Sequence, residues 1–406
     1  MKRSVVVTGM GAVTPLGEDF PRTWNALIAG KEADAPLKLF STADCRCHRA
    51  AVASLPFLSG LSPKMVPRLS RASRLAIPSA REALAMAGLL EGSGRCSMSV
   101  LPLSVSTTAG GMEFGENFLR DMIARKRSGL LGKASRYMPQ QQVLDLQETL
   151  GFEGPSTIIA NACASGANAI GHAADMISSG MSDCVLTGGF EALTELVFVG
   201  FDCLQATTVE RCRPFDLNRT GLMLGEGAAF LVLETPEHAR QRGARALCRL
   251  SGYGHSTDFF HLTQPQPEGK ALVTAMRQAV SAASVEPREI GYVNAHGTAT
   301  PMNDGAEARA YSAFFADSLD QIRISSTKAA IGHTLGAAGS IEALFSMQAL
   351  ITGKLPPQLN LQTPIPEIAP ALVPNGGGNS FMRHAMSVNL GFGGSNAALI
   401  FSKNEN

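Results

Sequence analysis

The chain of 406 residues sets 35 Lys and Arg against 34 Asp and Glu, a net charge of +1, with 45% hydrophobic and 17% charged residues. That balance excludes a disordered chain or a coiled coil and gives no global electrostatic ground for nucleic-acid binding. At this length a large core can be buried, and 41 glycines without a collagen period point to the tight turns and close backbone approaches of an α/β protein.

From the N-terminus, Met1-Lys2-Arg3 precedes a buried-strand pattern at Val5–Val7, whose apolar run stops at Thr8-Gly9, too early for a signal peptide. Cys45-Arg46-Cys47-His48 matches no zinc spacing and reads as a solvated loop. The eight cysteines include no C-x-x-C pair, which fits reduced thiols, and no run approaches the ~18 to 20 apolar residues of a membrane span. The expectation is a cytoplasmic protein without a membrane span. Further strands are predicted at 104–106, 157–160, 185–187, 230–233, 292–295, 322–325, 386–390 and 397–401. Helix patterns fall between them at 79–87, 167–179, 306–315 and 340–351. This alternation argues for a mostly parallel sheet covered on both faces. Gly166 and Gly336 begin similar small-residue helices 170 residues apart, and Ala228-Ala229 and Ala397-Ala398 lie 169 apart. Near-equal offsets predict two copies of one α/β unit, 1–250 and 251–406, meeting near Leu250–Ser256 after a basic helical lead-in at His238–Arg245.

Chemistry concentrates at strand ends, where open α/β sheets build sites. Cys163, in Asn161-Ala-Cys-Ala-Ser-Gly-Ala-Asn168, stands between a strand and a helix, where unpaired N–H groups and the helix dipole favour thiolate. Asn294-Ala-His296-Gly-Thr298-Ala-Thr300 places a histidine and two hydroxyls at another strand end. Ser326-Thr-Lys328-Ala-Ala-Ile-Gly-His333 adds a lysine and a second histidine at a third. Alone, each of these residues fits a structural role; three equivalent strand ends of a duplicated fold shift the balance towards a site. Gly391-Phe392-Gly393-Gly394 is free to present backbone N–H groups to an oxyanion.

In order and spacing these motifs resemble the β-ketoacyl-acyl carrier protein synthases of the chain-elongating type, within the thiolase-like superfamily. The likeness runs from Val6-Val-Thr-Gly-Met-Gly-Ala-Val-Thr-Pro15 to Gly393-Gly-Ser-Asn-Ala-Ala398. It implies a thiolase-like five-layer αβαβα sandwich of two duplicated halves, usually dimeric. It assigns Cys163 as acyl acceptor, and His296 and His333 as neutral donors to the enolate formed when malonyl-carrier protein loses carbon dioxide. Lys328 supports the His333 region and pairs with Glu342, while Asp304 is a second supporting acid. The Cys163 and Phe392 N–H groups form the oxyanion hole, and Phe392 is also a gate. Thr298, Thr300 and Thr263 bind the pantetheine arm, and Ala109 and Phe201 line the acyl pocket. No bound cofactor is implied: the substrates ride on the phosphopantetheine of acyl carrier protein. The partners implied are that protein and a homodimer or heterodimer mate.

Acidic carrier proteins call for a local basic patch. Lys64, Arg68, Arg71 and Arg74 form one candidate, and Arg120, Arg125, Lys126 and Arg127 another. Departures from the family pattern include Arg219-Thr-Gly-Leu222 in place of Arg-Asp-Gly-Phe, Leu390 in place of an aromatic, Pro78 interrupting a helix pattern, and the polar Met138-Pro-Gln-Gln-Gln-Val143. With Ala109 at the pocket wall they point towards a specialised pathway such as an aryl polyene lipid. A thiolase would need a second cysteine in the Gly391–Gly394 turn, and a non-catalytic chain-length subunit would lack the nucleophile; neither pattern is present. Gly9-Met-Gly11 lacks the further glycine and the acid of a dinucleotide site.

Overall fold

Ten strands form one hydrogen-bonded sheet that divides into two matching fives. The computed structural model describes residues 3–58, 60–61, 64–124 and 131–404. In the first half, β1 (Val6–Val13), β2 (Leu103–Ser106), β3 (Ser156–Ile159), β4 (Cys184–Glu191) and β5 (Gly227–Glu234) run in the order β3-β2-β4-β5-β1. In the second, β6 (Cys248–Thr257), β7 (Ile290–Asn294), β8 (Arg323–Ser325), β9 (His384–Leu390) and β10 (Ser395–Ser402) run β8-β7-β9-β10-β6. Strand directions match as well: in each half the first two pairings are parallel and the last two antiparallel. The halves join where Val6 and Val7 of β1 pair with Arg249 and Cys248 of β6.

The helices complete five layers. α1 (Arg71–Met86) lies on β1 and β5, with α2 (Pro139–Leu150) packed against it. α3 (Ser165–Ser178) and the later α6 (Ala338–Thr352) fill the space between the two sheets. On the far side α4 (Lys270–Ala283) covers β6 and β10, and α5 (Pro301–Phe315) packs on α4. A helix apolar on every side belongs in such a central layer. The stretch Leu335–Thr352 is in fact long and apolar enough to cross a membrane, contrary to expectation, and it is 83% buried within the protein.

The same packing device serves both halves. A Cβ on Gly9 or Gly11 of β1 would sit 2.1 Å from the Ala83 carbonyl or 2.3 Å from that of Ser79, both on α1. On β6, Gly252 and Gly254 stand in the same relation to the Ala279 and Ala275 carbonyls of α4, at 2.2 and 2.1 Å. These glycines let a helix backbone touch a strand. They also disguise β6, which the sequence pattern missed because two of its inward positions carry no side chain. The expected boundary at residue 250 falls inside this strand, so the halves part in the turn before Cys248.

Two further expectations change. Pro78 does not break its helix; α1 starts at Arg71, where the Ser73 N–H donates to the Ser70 hydroxyl at 3.0 Å, and runs through Pro78 to Met86. Arg71, expected on a docking surface, is committed inward. Its Nε lies 2.8 and 3.0 Å from the Glu226 carboxylate oxygens, and Nη2 donates to the Ala53 carbonyl at 2.7 Å. Glu226 is fully buried and also accepts the Ala53 and Leu193 N–H groups, at 3.0 and 3.1 Å. Lys64 and Arg68 are exposed, Arg74 is half-buried, and Arg120 pairs with Glu195 at the surface. Arg125, Lys126 and Arg127 lie outside the described residues. Removing one member of a buried ion pair strands the other charge, at about 3–5 kcal/mol. Arg71→Ala should therefore lower the urea unfolding free energy by about that much, whereas Arg68→Ala leaves the transition in place; equal midpoints would refute the assignment.

Candidate active site

Three strand-to-helix turns converge between the sheets. Cys163 stands between β3 and α3, and His333 between β8 and α6, the equivalent place in the second copy. A residue with positive φ precedes each: Ala162 at 59° and Gly332 at 72°. Glycine adopts this conformation freely, whereas alanine is strained in it. The Ala162 turn is closed from within, as Asn161 N–H donates to Ser165 Oγ at 2.8 Å and Ser165 Oγ donates to the Ala162 carbonyl at 2.5 Å. The His333 turn is gripped by the first half, its N–H donating to the Met223 carbonyl at 2.7 Å and its carbonyl accepting from Gly225 N–H at 2.9 Å.

The candidate groups meet closely. His333 Nε2 is 3.0 Å from Cys163 Sγ, and the two imidazole rings stand edge to face, 5.2 Å apart at 86°. Lys328 Nζ forms an ion pair with Glu342 and lies 3.3 Å from His296 Nδ1. The second Glu342 oxygen accepts Asn389 Nδ2 at 2.6 Å. Leu335 N–H donates to His333 Nδ1 at 3.3 Å. An ammonium and a backbone N–H only donate, so Nδ1 of each ring is the acceptor and Nε2 carries the hydrogen. Both Nε2–H groups face the space beside the sulfur. The sulfur and a nitrogen from each ring lie within 4.8 Å of one another, a spacing that suits a metal, but these tautomers make the rings donors rather than ligands. A second such cluster, Cys184, Glu234 and His238, has its carboxylate already held by Arg242, Thr8 and His238.

Burial dominates the electrostatics. It holds both histidines well below the ordinary imidazole value, and the Lys328 charge pushes the same way. Burial also lifts the Cys163 thiol to about 12, against the pull of Lys328 and of the Phe392 N–H that points at the sulfur. Burial thus opposes the thiolate that the helix N-terminus favours. Burial likewise raises the Glu342 carboxyl, with Lys328 and Asn389 opposing it.

Supporting acids sit one layer out. Asp304 accepts the Phe215 N–H at 2.7 Å and the Ala299 N–H at 3.1 Å, shaping the turn after His296. The residue that holds His296 itself is Glu307, which the sequence reading missed. It accepts the His296 and Gly297 N–H groups at 3.0 and 2.6 Å and the Tyr311 hydroxyl at 2.7 Å, and burial lifts it to about 7. Its position three residues after Asp304 on α5, one helical face, was the available signal.

A cavity of about 230 Å³ opens onto Cys163, His296 and His333. Thr263, Thr298 and Thr300 line it, with Thr298 and Thr300 hydroxyls 2.9 Å apart. Phe201 and Phe392 line it too, their rings stacked at 5.4 Å and 17°. Ala109, expected at a pocket wall, is off this cavity; its N–H is held by the buried Glu191 carboxylate at 2.8 Å. In ¹⁵N spectra both imidazoles should keep the neutral Nε2–H pattern from pH 8 to 6, because lowered values delay protonation to more acidic pH. In Lys328→Met the His296 ring, deprived of its Nδ1 donor, should become a tautomer mixture; an unchanged pattern would overturn the tautomer assignment.

The family profile described as "Beta-ketoacyl synthase, N-terminal domain" matches residues 2–239, and "Beta-ketoacyl synthase, C-terminal domain" matches 247–362. The chain is 35% identical over 419 residues to 3-oxoacyl-[acyl-carrier-protein] synthase 2 of Staphylococcus aureus (strain COL), covering 99% of each. Among solved structures it is similar to the ishigamide ketosynthase/chain length factor, with TM-score 0.91 and 29% identity over the whole of both chains. A beta-ketoacyl synthase from Burkholderia phymatum STM815 gives TM-score 0.88 and 32% identity, again over both chains entirely.

Proposed function

The chain belongs to the β-ketoacyl synthase family, and we propose that it condenses an acyl thioester with malonyl-acyl carrier protein, releasing carbon dioxide and a 3-oxoacyl-acyl carrier protein. The observation that carries this reading is one buried sulfur facing two Nε2–H donors at the end of a cavity lined by three threonines. In the first stage Cys163 Sγ attacks the carbonyl of the acyl thioester. The carbon–sulfur bond to the carrier arm breaks, the bond to Cys163 forms, and the thiol proton leaves on the arm. The Cys163 and Phe392 N–H groups stabilise the oxyanion of the tetrahedral intermediate.

In the second stage malonyl-carrier protein loses carbon dioxide. The electron pair left behind forms an enolate whose oxygen accepts the His296 and His333 Nε2–H bonds. Neutral donors suit this step, since a protonated imidazole beside the substrate carboxylate would favour the ground state. The enolate carbon attacks the acyl-enzyme carbonyl, the carbon–carbon bond forms, and the Cys163 sulfur departs and is reprotonated from solvent. The intact sulfur and imidazoles favour this role over that of a non-catalytic chain-length subunit, and a Gly391–Gly394 turn without a second cysteine favours it over a thiolase-type transferase.

The same reading supplies the partners. Thr263, Thr298 and Thr300 line the path for a phosphopantetheine arm, which brings the substrates in without a bound cofactor. The protein acts with an acyl carrier protein and as a dimer, with a second copy or a related ketosynthase-like subunit; of the proposed docking cluster, Lys64 and Arg68 remain exposed for an acidic carrier. The cytoplasm is the compartment we propose.

Intact-mass analysis with an acyl-carrier protein panel should show one acyl adduct, at Cys163, and none in Cys163→Ser. Cys163→Ala should lose condensation yet still decarboxylate malonyl-carrier protein, while His296→Ala or His333→Ala lowers decarboxylation by roughly 10²–10³-fold. Undiminished decarboxylation in both histidine variants would overturn the mechanism.

A further inference from the structure

The oxyanion hole takes one N–H from each half of the molecule: Cys163 on the first, Phe392 on the second. Two turns from different halves must therefore hold a set separation while acyl transfer takes place. Their backbones already touch, since a Cβ on Gly391 would lie 3.2 Å from the N atoms of both Cys163 and Ala164. Contact alone does not set register, and the residue that ties both turns is Ser395.

Ser395 closes the Phe392 turn through its backbone, its carbonyl accepting the Gly391 N–H at 2.6 Å. Through its side chain it reaches into the first half. Its hydroxyl accepts Asn161 Nδ2 at 3.0 Å and Asn168 Nδ2 at 3.3 Å. Asn161 is the residue before the strained Ala162, and Asn168 lies in the first turn of α3. Tyr253 of β6 holds Asn168 in turn, its hydroxyl donating to Asn168 Oδ1 at 2.9 Å. Gly171 admits that ring, since a Cβ there would sit 2.4 Å from it. The nucleophile turn is thus fixed on both sides by groups of the second half.

We propose that Ser395 is a positioning residue that sets the spacing of the two oxyanion N–H groups by linking Asn161 and Asn168 to the base of the Phe392 turn. The inference rests on the condensing reading above. It separates the two stages of the reaction: acyl transfer uses the paired N–H groups, whereas malonyl decarboxylation uses the two imidazoles, which Ser395 does not touch.

Acylation of Cys163 by acyl-carrier protein and decarboxylation of malonyl-carrier protein are measured separately on the full chain. Ser395→Ala should slow acylation by roughly 10- to 100-fold, the scale of a misplaced catalytic group, and leave decarboxylation within about twofold. Ser395→Thr, which keeps the hydroxyl, should restore acylation. Should Ser395→Ala fail to fold, Tyr253→Phe, which removes only one hydrogen bond, should still slow acylation several-fold with decarboxylation unchanged. Equal losses in both stages, or no loss in acylation, would overturn the role of Ser395. A wild-type chain that neither acylates nor decarboxylates would instead refute the condensing reading itself.

Discussion

The chemistry depends on one buried ammonium. Lys328 is held by Glu342 and placed against His296 Nδ1. A lone charge there would be prohibitively costly, so the carboxylate must accompany it, and Asn389 must occupy the second carboxylate oxygen. With that set in place, His296 is a neutral Nε2–H donor by geometry, and His333 reaches the same state through a single backbone N–H. Two identical donors thus arise from unlike supports. The positive charge also opposes protonation of either ring, and it acts with burial rather than against it.

The residues of the candidate site were legible in the sequence because each stands in a short motif of small neighbours at a strand end. Cys163, His296, Lys328 and His333 are brought together as their motifs implied, and Glu342 pairs with Lys328. The duplication was visible through two offsets, and the matching strand orders give its full extent. What escaped depends on tertiary partners. β6 gave no strand pattern because Gly252 and Gly254 occupy inward positions, and their purpose emerges only against α4. Arg71 looked like surface because the sequence could not place Glu226, 155 residues away, beside it. Glu307 carries no motif of its own; its task is defined by the backbone of His296 and Gly297.

Support for the site also comes from across the boundary between halves. The His333 turn is clamped by Met223 and Gly225, and Gly336 is held by Glu191 and Ser106. In the opposite direction, Ser395 and Tyr253 hold the region around Cys163. Buried carboxylates recur around the site because one carboxylate accepts several backbone N–H groups at once: Glu191 does so across the boundary, and Glu226 and Glu307 each do so within one half. Strain at Ala162 and Ala299 persists because such contacts over-determine the turns.

Cys163 and His333 occupy the same address in two copies of one folding unit. Two identical half-length chains related by a twofold axis would present the same atom twice at this meeting point, sulfur facing sulfur or nitrogen facing nitrogen. Joining the copies covalently removes that symmetry requirement. One backbone design can then deliver a thiol from one side and an imidazole from the other, each free to diverge without its twin.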